Sequence, residues 1–286
     1  AVVAGANLLA DASTAALHQA HFLSPDGQAR VFDAQANGYV RGEGVGAVLL
    51  SRDVNAEHPR VYALLRGSAV VQDGHTSSLT APNPAAQEHA IRQALARAQV
   101  APSSVAYVEA HGTGTALGDP IELRALQNVL GGPHRANPCV IGSVKANVGH
   151  LEGAAGMAGL IKACLVAYHG VLPAHPVPAL ALNPRFAWDH SQLLVLQADD
   201  AADDDEPETL PADAVLGLSS FGFGGTNVHV VLTAPGSPPT SAITAPSTNF
   251  AALTDRVADR CVFMQKIKMK KKKKKERKKK KKGEEE

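Results

Sequence analysis

Cysteine is scarce, with three in 286 residues, so no disulfide framework holds this chain together. Aromatic residues make up only 4%. No uninterrupted apolar run reaches the roughly 18 residues of a membrane span. The opening AVVAGANLLAD lacks the basic leader of a secretory signal. A soluble, cytoplasmic protein is expected, and any organellar leader would lie upstream of these residues. Lysine is also nearly missing from most of the chain. Residues 266–282 hold 14 of the 28 Lys and Arg, while Lys145 and Lys162 are the only lysines of residues 1–265. That body carries 14 basic against 23 acidic residues, a net charge of −9, so the sequence pI of about 8.0 says nothing about nucleic acid. The lysine run has no interleaved aromatics on which bases stack, and it reads as a disordered, solvated tail. No G-x-S-x-G elbow occurs, which leaves an α/β-hydrolase without its nucleophile. GEGVGA (42–47) precedes a strand instead of following one, so it is not a dinucleotide site. His18 and His21 have no carboxylate or cysteine set to complete a metal site.

What is present reads as alternating strands and helices. AVVAGANLL (1–9) has strand length, and residues 11–20 suit a short helix. Strands are expected at 44–51 and 60–71, then an amphipathic helix over 83–99, where Ala90, Ile91, Ala94, Leu95 and Ala98 recur at helical spacing. SVAYVEA (104–110) is a strand. Asp119 at the cap, Pro120 at the first helical position and Glu122 in the first turn open the next helix, which Gly131 and Gly132 close. PCVIGSVK (138–145) is a strand ending at Lys145, ANVG a loop, and residues 151–170 a long helix buried between layers. LLVL (193–196) suits an edge strand, residues 198–213 an acidic solvated loop, and 215–220 and 227–232 a last pair of strands. From residue 234 a Pro/Ser/Thr/Ala linker leads into the tail. Short loops between alternating elements argue for a layered α/β domain.

Three strand-end loops are rich in Gly, Thr or Asn: HGTGT (111–115), ANVGH (146–150) and FGFGGTN (221–227). Loops at the carboxyl ends of strands build sites in such folds. Two imidazoles, an ammonium from Lys145 and clustered backbone N–H groups suit a thioester carbonyl that becomes an enolate. A helix N-terminus beside His150 is expected to keep that imidazole neutral.

VEAHGTGTALGDPIE (108–122), IGSVKANVGHLEGAAGMAGLIKA (141–163) and SSFGFGGTNVHVVL (219–232), in this order and approximate spacing, closely resemble the β-ketoacyl synthases. GYVRGEGVGAVLL (38–50) and LTAPNPAAQ (79–87) add to the likeness, which covers most of residues 1–233 and looks like the type I modular form of polyketide and fatty acid synthases. The resemblance implies a thiolase-like α/β sandwich, here the end of its first half (1–51) and its second half (52–233), followed by linker and tail (234–286). It implies decarboxylative Claisen condensation between a malonyl-type extender and an acyl thioester carried on acyl carrier protein. His111 and His150 would be the catalytic histidines and Lys145 the lysine of the same site, held by a nearby acid. Thr113 and Thr115 would contact the phosphopantetheine arm, and Phe223 would be the gate whose backbone N–H forms half of the oxyanion hole. No metal or diffusible cofactor is implied; the substrates ride on the carrier's phosphopantetheine. The partners would be acyl carrier protein and a second copy in a homodimer, with neither nucleic acid nor membrane.

The family's nucleophilic cysteine sits in a DTACSS-like elbow upstream of the segment that AVVAGANLLAD resembles. Cys139, Cys164 and Cys261 have neither that elbow nor a helix N-terminus to lower their pKa, and read as inert thiols. The isolated polypeptide is therefore expected not to condense, and to be marginally stable or to aggregate, with apolar faces left open. The loop before SSFGFGGTN lacks the family's basic residues, and Pro84 and Val228 stand where Gly and Ala are common, which bears on local loop shape only. Two other readings are a non-catalytic module that docks carrier proteins or pairs with another subunit, and a relative that only decarboxylates malonyl thioesters.

Overall fold

A computed structural model describes residues 1–52, 61–132, 135–176, 181–197 and 208–235. Most of the acidic segment 198–213, the linker and lysine tail, and Cys261 lie outside the described residues.

Among the described residues, strands β3 (Leu64–Gln72), β8 (Thr226–Thr233), β7 (Val215–Phe221), β4 (Val105–Glu109), β5 (Cys139–Gly142) and β6 (Leu193–Leu194) form a six-stranded sheet in that order. β7, β4, β5 and β6 run parallel, and β8 is antiparallel to both β3 and β7. The expected edge strand near 193 is there, but only two residues long.

Helices cover both faces. On one side lie α2 (Pro84–Ala98) and α3 (Gly118–Leu130), whose Ile91, Leu95, Leu123 and Leu126 pack on Val105 and Val108 of β4. On the other side α5 (Ala155–His169) sets Ala163, Val166 and Ala167 against Tyr107, Val140 and Leu216. Tyr107 and Val108 thus serve opposite layers, as neighbours in a strand do, and the register shifts between Val105 and Tyr107, so that Val105 shares the face of Val108. Asn83 caps α2, its side-chain oxygen accepting from the Ala85 N–H at 3.0 Å, and Pro84 occupies the first turn, where its missing N–H costs nothing.

The remaining strands, β1 (Val2–Asn7) and β2 (Gly44–Leu49), pair antiparallel in a sheet of their own, with α1 (Asp11–Gln19) between them in the chain. α5 lies between this ribbon and the large sheet: Gly46 is so close that a Cβ there would sit 2.7 Å from Met157 Cγ. Several side chains of the ribbon, among them Val2, Val45 and Leu49, remain more than half exposed. Every residue of α5 except His169 is buried or half-buried, in line with the expected helix between layers.

Two local expectations fail. Asp119 does not cap α3: the helix starts one residue earlier, at Gly118, and its N-cap Leu117 makes no side-chain cap bond. The carboxylate turns into the preceding loop, where more backbone donors await it. Lys145 does not end a strand, because β5 stops at Gly142 and Lys145 opens a single helical turn, α4 (Lys145–Val148). Among the described residues no helix is long and apolar enough to cross a membrane.

Candidate active site

The parallel strands β7, β4 and β5 are neighbours, so their carboxyl ends open on one edge of the sheet. HGTGT leaves β4, the segment carrying Lys145 and His150 leaves β5, and FGFGGTN leaves β7. The three loops singled out in the sequence are therefore brought together by topology.

They enclose a cavity of about 350 Å³ whose lining includes His111, His150, Thr113, Thr115 and Phe223. The two imidazoles stand edge to face with ring centroids 5.5 Å apart. Each is oriented through Nδ1. The Phe221 N–H donates to His111 Nδ1 at 3.3 Å, and the Glu152 N–H donates to His150 Nδ1 at 2.9 Å. An Nδ1 that accepts leaves the ring proton on Nε2, so both histidines are set up as Nε2–H donors. Tyr39 packs on His150 at 5.2 Å.

Both rings are held neutral. Burial, and then the charge of Lys145, pushes His150 down to about 3. Burial, Lys145 and His150 itself hold His111 well below the usual imidazole range. The cause differs from the helix terminus expected from the sequence. α5 begins only at Ala155, after a single 3₁₀ turn, and burial is the leading influence.

The HGTGT loop is shaped by two buried acids. Glu122 accepts the N–H groups of His111 at 2.7 Å and Gly112 at 2.8 Å, one on each oxygen. Asp119 accepts from Thr113 and Gly114, both at 3.1 Å, and from Phe32 at 2.8 Å. Burial pushes Glu122 up to about 7 and Asp119 up to about 6, against the pull of these backbone donors. The hydroxyls of Thr113 and Thr115 lie 3.1 Å apart on the cavity wall.

Lys145 is buried and is absent from the cavity lining. It lies in the combined field of Glu109, Glu122 and Asp119, which oppose the lowering of its pKa by burial. Phe223 stands at the mouth, 52% exposed, its ring 5.5 Å from Phe22. A wider depression lined by Asp11, His18 and Asp26 lies apart from these groups, with Asp26 already tied to Ser24 and Arg30.

Several contributors are not visible in the sequence. Arg41 grips Glu152 with two bonds, Nε to Oε1 at 2.6 Å and Nη2 to Oε2 at 2.8 Å. Glu152 has φ of +44°, the left-handed region that non-glycine residues avoid. Its constrained backbone is what directs the N–H at His150. The backbone of His150 is also clamped, donating to Val40 O at 2.6 Å and accepting from the Gly42 N–H at 2.8 Å. Gly149 adopts φ 75°, ψ −175°, where a Cβ would meet Val40 O at 2.9 Å. The one signal for Arg41 is an Arg in the motif GYVRGEG; nothing in the sequence ties it to a residue 111 positions away.

Cys139 is fully buried and its thiol is pushed up to about 12, while burial carries Cys164 to about 11. Neither forms a thiolate at neutral pH.

Comparison with known proteins gives a consistent pattern. Residues 1–56 match the family model for the β-ketoacyl synthase N-terminal domain, and residues 62–177 that for the C-terminal domain. The chain is 48% identical over 239 residues to a phenolphthiocerol/phthiocerol polyketide synthase of Mycobacterium bovis, covering 81% of this chain and 12% of that protein. It is 44% identical over 241 residues to the highly reducing polyketide synthase otaA of Aspergillus carbonarius, covering 81% of this chain and 9% of the relative. Among solved structures, the ketosynthase from module 6 of the bacillaene synthase of Bacillus subtilis 168 aligns with a TM-score of 0.71 at 38% identity, over 81% of this chain and 42% of that one. The chain thus spans about a tenth of the length of these two polyketide synthases.

Proposed function

This chain belongs to the β-ketoacyl synthase family and carries its thiolase-like α/β fold, and from that premise we propose that it supplies the decarboxylating part of a condensing acyltransferase site in polyketide biosynthesis. The observation that carries this reading is the pair of histidines that line one cavity, each accepting a backbone N–H at Nδ1, which leaves Nε2–H as the donor of each neutral ring.

The substrate is a malonyl-type thioester on the phosphopantetheine of an acyl carrier protein. Its carbonyl oxygen receives the two Nε2–H donors. As the carboxylate leaves as CO₂, the electron pair of the breaking C–C bond passes into the thioester enolate, whose oxygen the same donors stabilise. The enolate carbon then attacks the carbonyl of an acyl thioester, and the acyl-carrying thiolate departs. Neither Cys139 nor Cys164 is that thiolate, because both are buried and their thiols stay protonated.

Lys145 acts on this chemistry as a buried charge, helping keep both imidazoles neutral. Thr113 and Thr115 line the route of the pantetheine arm, and Phe223 at the mouth serves as gate and offers its backbone N–H to the acyl carbonyl. Residues 1–51 read as the end of the N-terminal half and 52–233 as the C-terminal half, close to where the two family models divide. Acyl carrier protein and a second copy are the partners this reading requires. A non-catalytic pairing module is the second reading, favoured by the exposed apolar face of β1 and β2.

The test is release of labelled CO₂ from carboxyl-labelled malonyl pantetheine by the native gene product that carries this chain. Release above the uncatalysed rate supports the reading. No release, with the protein folded, favours the pairing module.

A further inference from the structure

One buried carboxylate stands outside the cavity, among the three parallel strands whose loops help build it. Glu109 ends β4, two residues before His111, beside Gly142 of β5 and Leu218 of β7. It is 1% exposed. Its Oε1 accepts the Val144 N–H at 2.5 Å, while Oε2 accepts the Tyr107 hydroxyl at 2.6 Å and pairs with Lys162 Nζ at 2.8 Å. Lys162 reaches it from α5, the helix that follows His150.

The surroundings are cut to fit this cluster. A Cβ at Gly142 would stand 2.9 Å from the Tyr107 hydroxyl and 3.2 Å from Lys162 Nζ, and one at Gly159 would stand 3.4 Å from Glu109 Cγ. The segment that Glu109 grips is also the one that carries Lys145. Val144 donates to Glu109, Lys145 N donates to Ser143 Oγ at 3.4 Å, and Ser143 Oγ donates to Gly112 O at 3.2 Å. The only two lysines of residues 1–265 therefore share one buried anion.

We propose that Glu109, neutralised by Lys162 and steadied by Tyr107, is a positioning residue that fixes the turn at 143–145 and so sets Lys145 behind the two histidines. This inference rests on the reading of the cavity as a decarboxylation site. A buried carboxylate needs a counter-ion or it neutralises or moves. With Lys162 gone, Lys145 becomes the nearest cation and is drawn toward Glu109. The Val144 tether loosens with it.

The test uses the native gene product and four variants: K162M, K162R, E109Q with K162M, and Y107F. K162M is expected to lower kcat for CO₂ release from malonyl pantetheine by about tenfold or more with KM within about twofold, since the site's shape at the substrate is kept while its field is not. K162R restores kcat to within about threefold, because a guanidinium can also pair a carboxylate. E109Q with K162M recovers part of the loss, because the amide oxygen still accepts from Val144 and no unpaired buried charge remains. Unchanged kcat in K162M, or a double variant no better than K162M, overturns the inference. Amide exchange at Val144 reads the tether without substrate: K162M speeds it and K162R does not. Unchanged exchange overturns the inference whatever the activity. Should K162M fail to fold, Y107F carries the same expectation of faster exchange at Val144, and unchanged exchange again refutes it. A wild-type protein that releases no CO₂ sinks the decarboxylation reading alone, and the exchange result still decides the role of Glu109.

Discussion

Replacing His111 or His150 by alanine is expected to lower CO₂ release from malonyl pantetheine by about a hundredfold to a thousandfold each, the range for loss of one preorganised donor to a developing oxyanion. Both rings are oriented through Nδ1 and their centroids lie 5.5 Å apart, so on the proposed function they donate to one oxygen from two directions. With one donor gone, the enolate is held by a single hydrogen bond, and water that enters the vacated space screens it. Because the two act on the same charge, the double variant should lose far less than the product of the single losses. Steady-state kcat on malonyl pantetheine, with a melting curve to show that the fold is kept, checks this. A loss below about tenfold for either variant would remove that histidine from the mechanism.

The second large effect concerns Arg41. Its side chain is almost fully buried, with two bonds to Glu152 and further donations to Ser13 Oγ at 3.0 Å and Thr14 Oγ1 at 2.7 Å. R41M leaves a partly buried carboxylate without its partner, expected to cost about 2–4 kcal/mol of stability, somewhat below the figure for a fully buried pair because Glu152 keeps some exposure to water. It also frees Glu152 from a left-handed backbone that costs on the order of 1–3 kcal/mol to maintain. Once that backbone relaxes, its N–H no longer fixes His150 Nδ1, and the wrong tautomer becomes available. We expect kcat to fall by about tenfold or more on this account, with R41K intermediate because an ammonium keeps the charge but loses the two-pronged geometry. Denaturant unfolding and CO₂ release on the same samples measure both effects. R41M within about 0.5 kcal/mol of wild type and fully active would show the pair to be ornamental.

Features whose residues lie close together along the chain are legible in its sequence, and those that join distant segments are not. Helix α2 is readable because its apolar positions, Asn83 cap and Pro84 all lie within one segment. The three loops are readable for the same reason, and strand order then explains why they meet. Asp119 looks like a helix cap because a local pattern competes with a non-local one: the carboxylate serves Thr113, Gly114 and Phe32, the last 87 residues away. Lys145 looks like a strand end because SVK continues an apolar run, whereas the chain turns at Ser143, whose hydroxyl bonds back to the HGTGT loop. Arg41 and Glu109 act through partners on other elements, and no spacing rule reaches that far. One cue does lie in the sequence. An acid inside the apolar strand SVAYVEA and a lone lysine inside the apolar helix after GHLEG each call for a buried partner, and they have each other.

Both site histidines are expected to be neutral Nε2–H donors. Imidazole ¹⁵N spectra of the folded native gene product, recorded from about pH 8 to about pH 5, test this most directly. Burial and Lys145 disfavour the imidazolium, so protonation should come only well below the usual range, near 3 for His150. Both rings should show an unprotonated Nδ1, a protonated Nε2 and no titration across this window. A midpoint near 6.5 for either ring, or a proton on Nδ1, would contradict it.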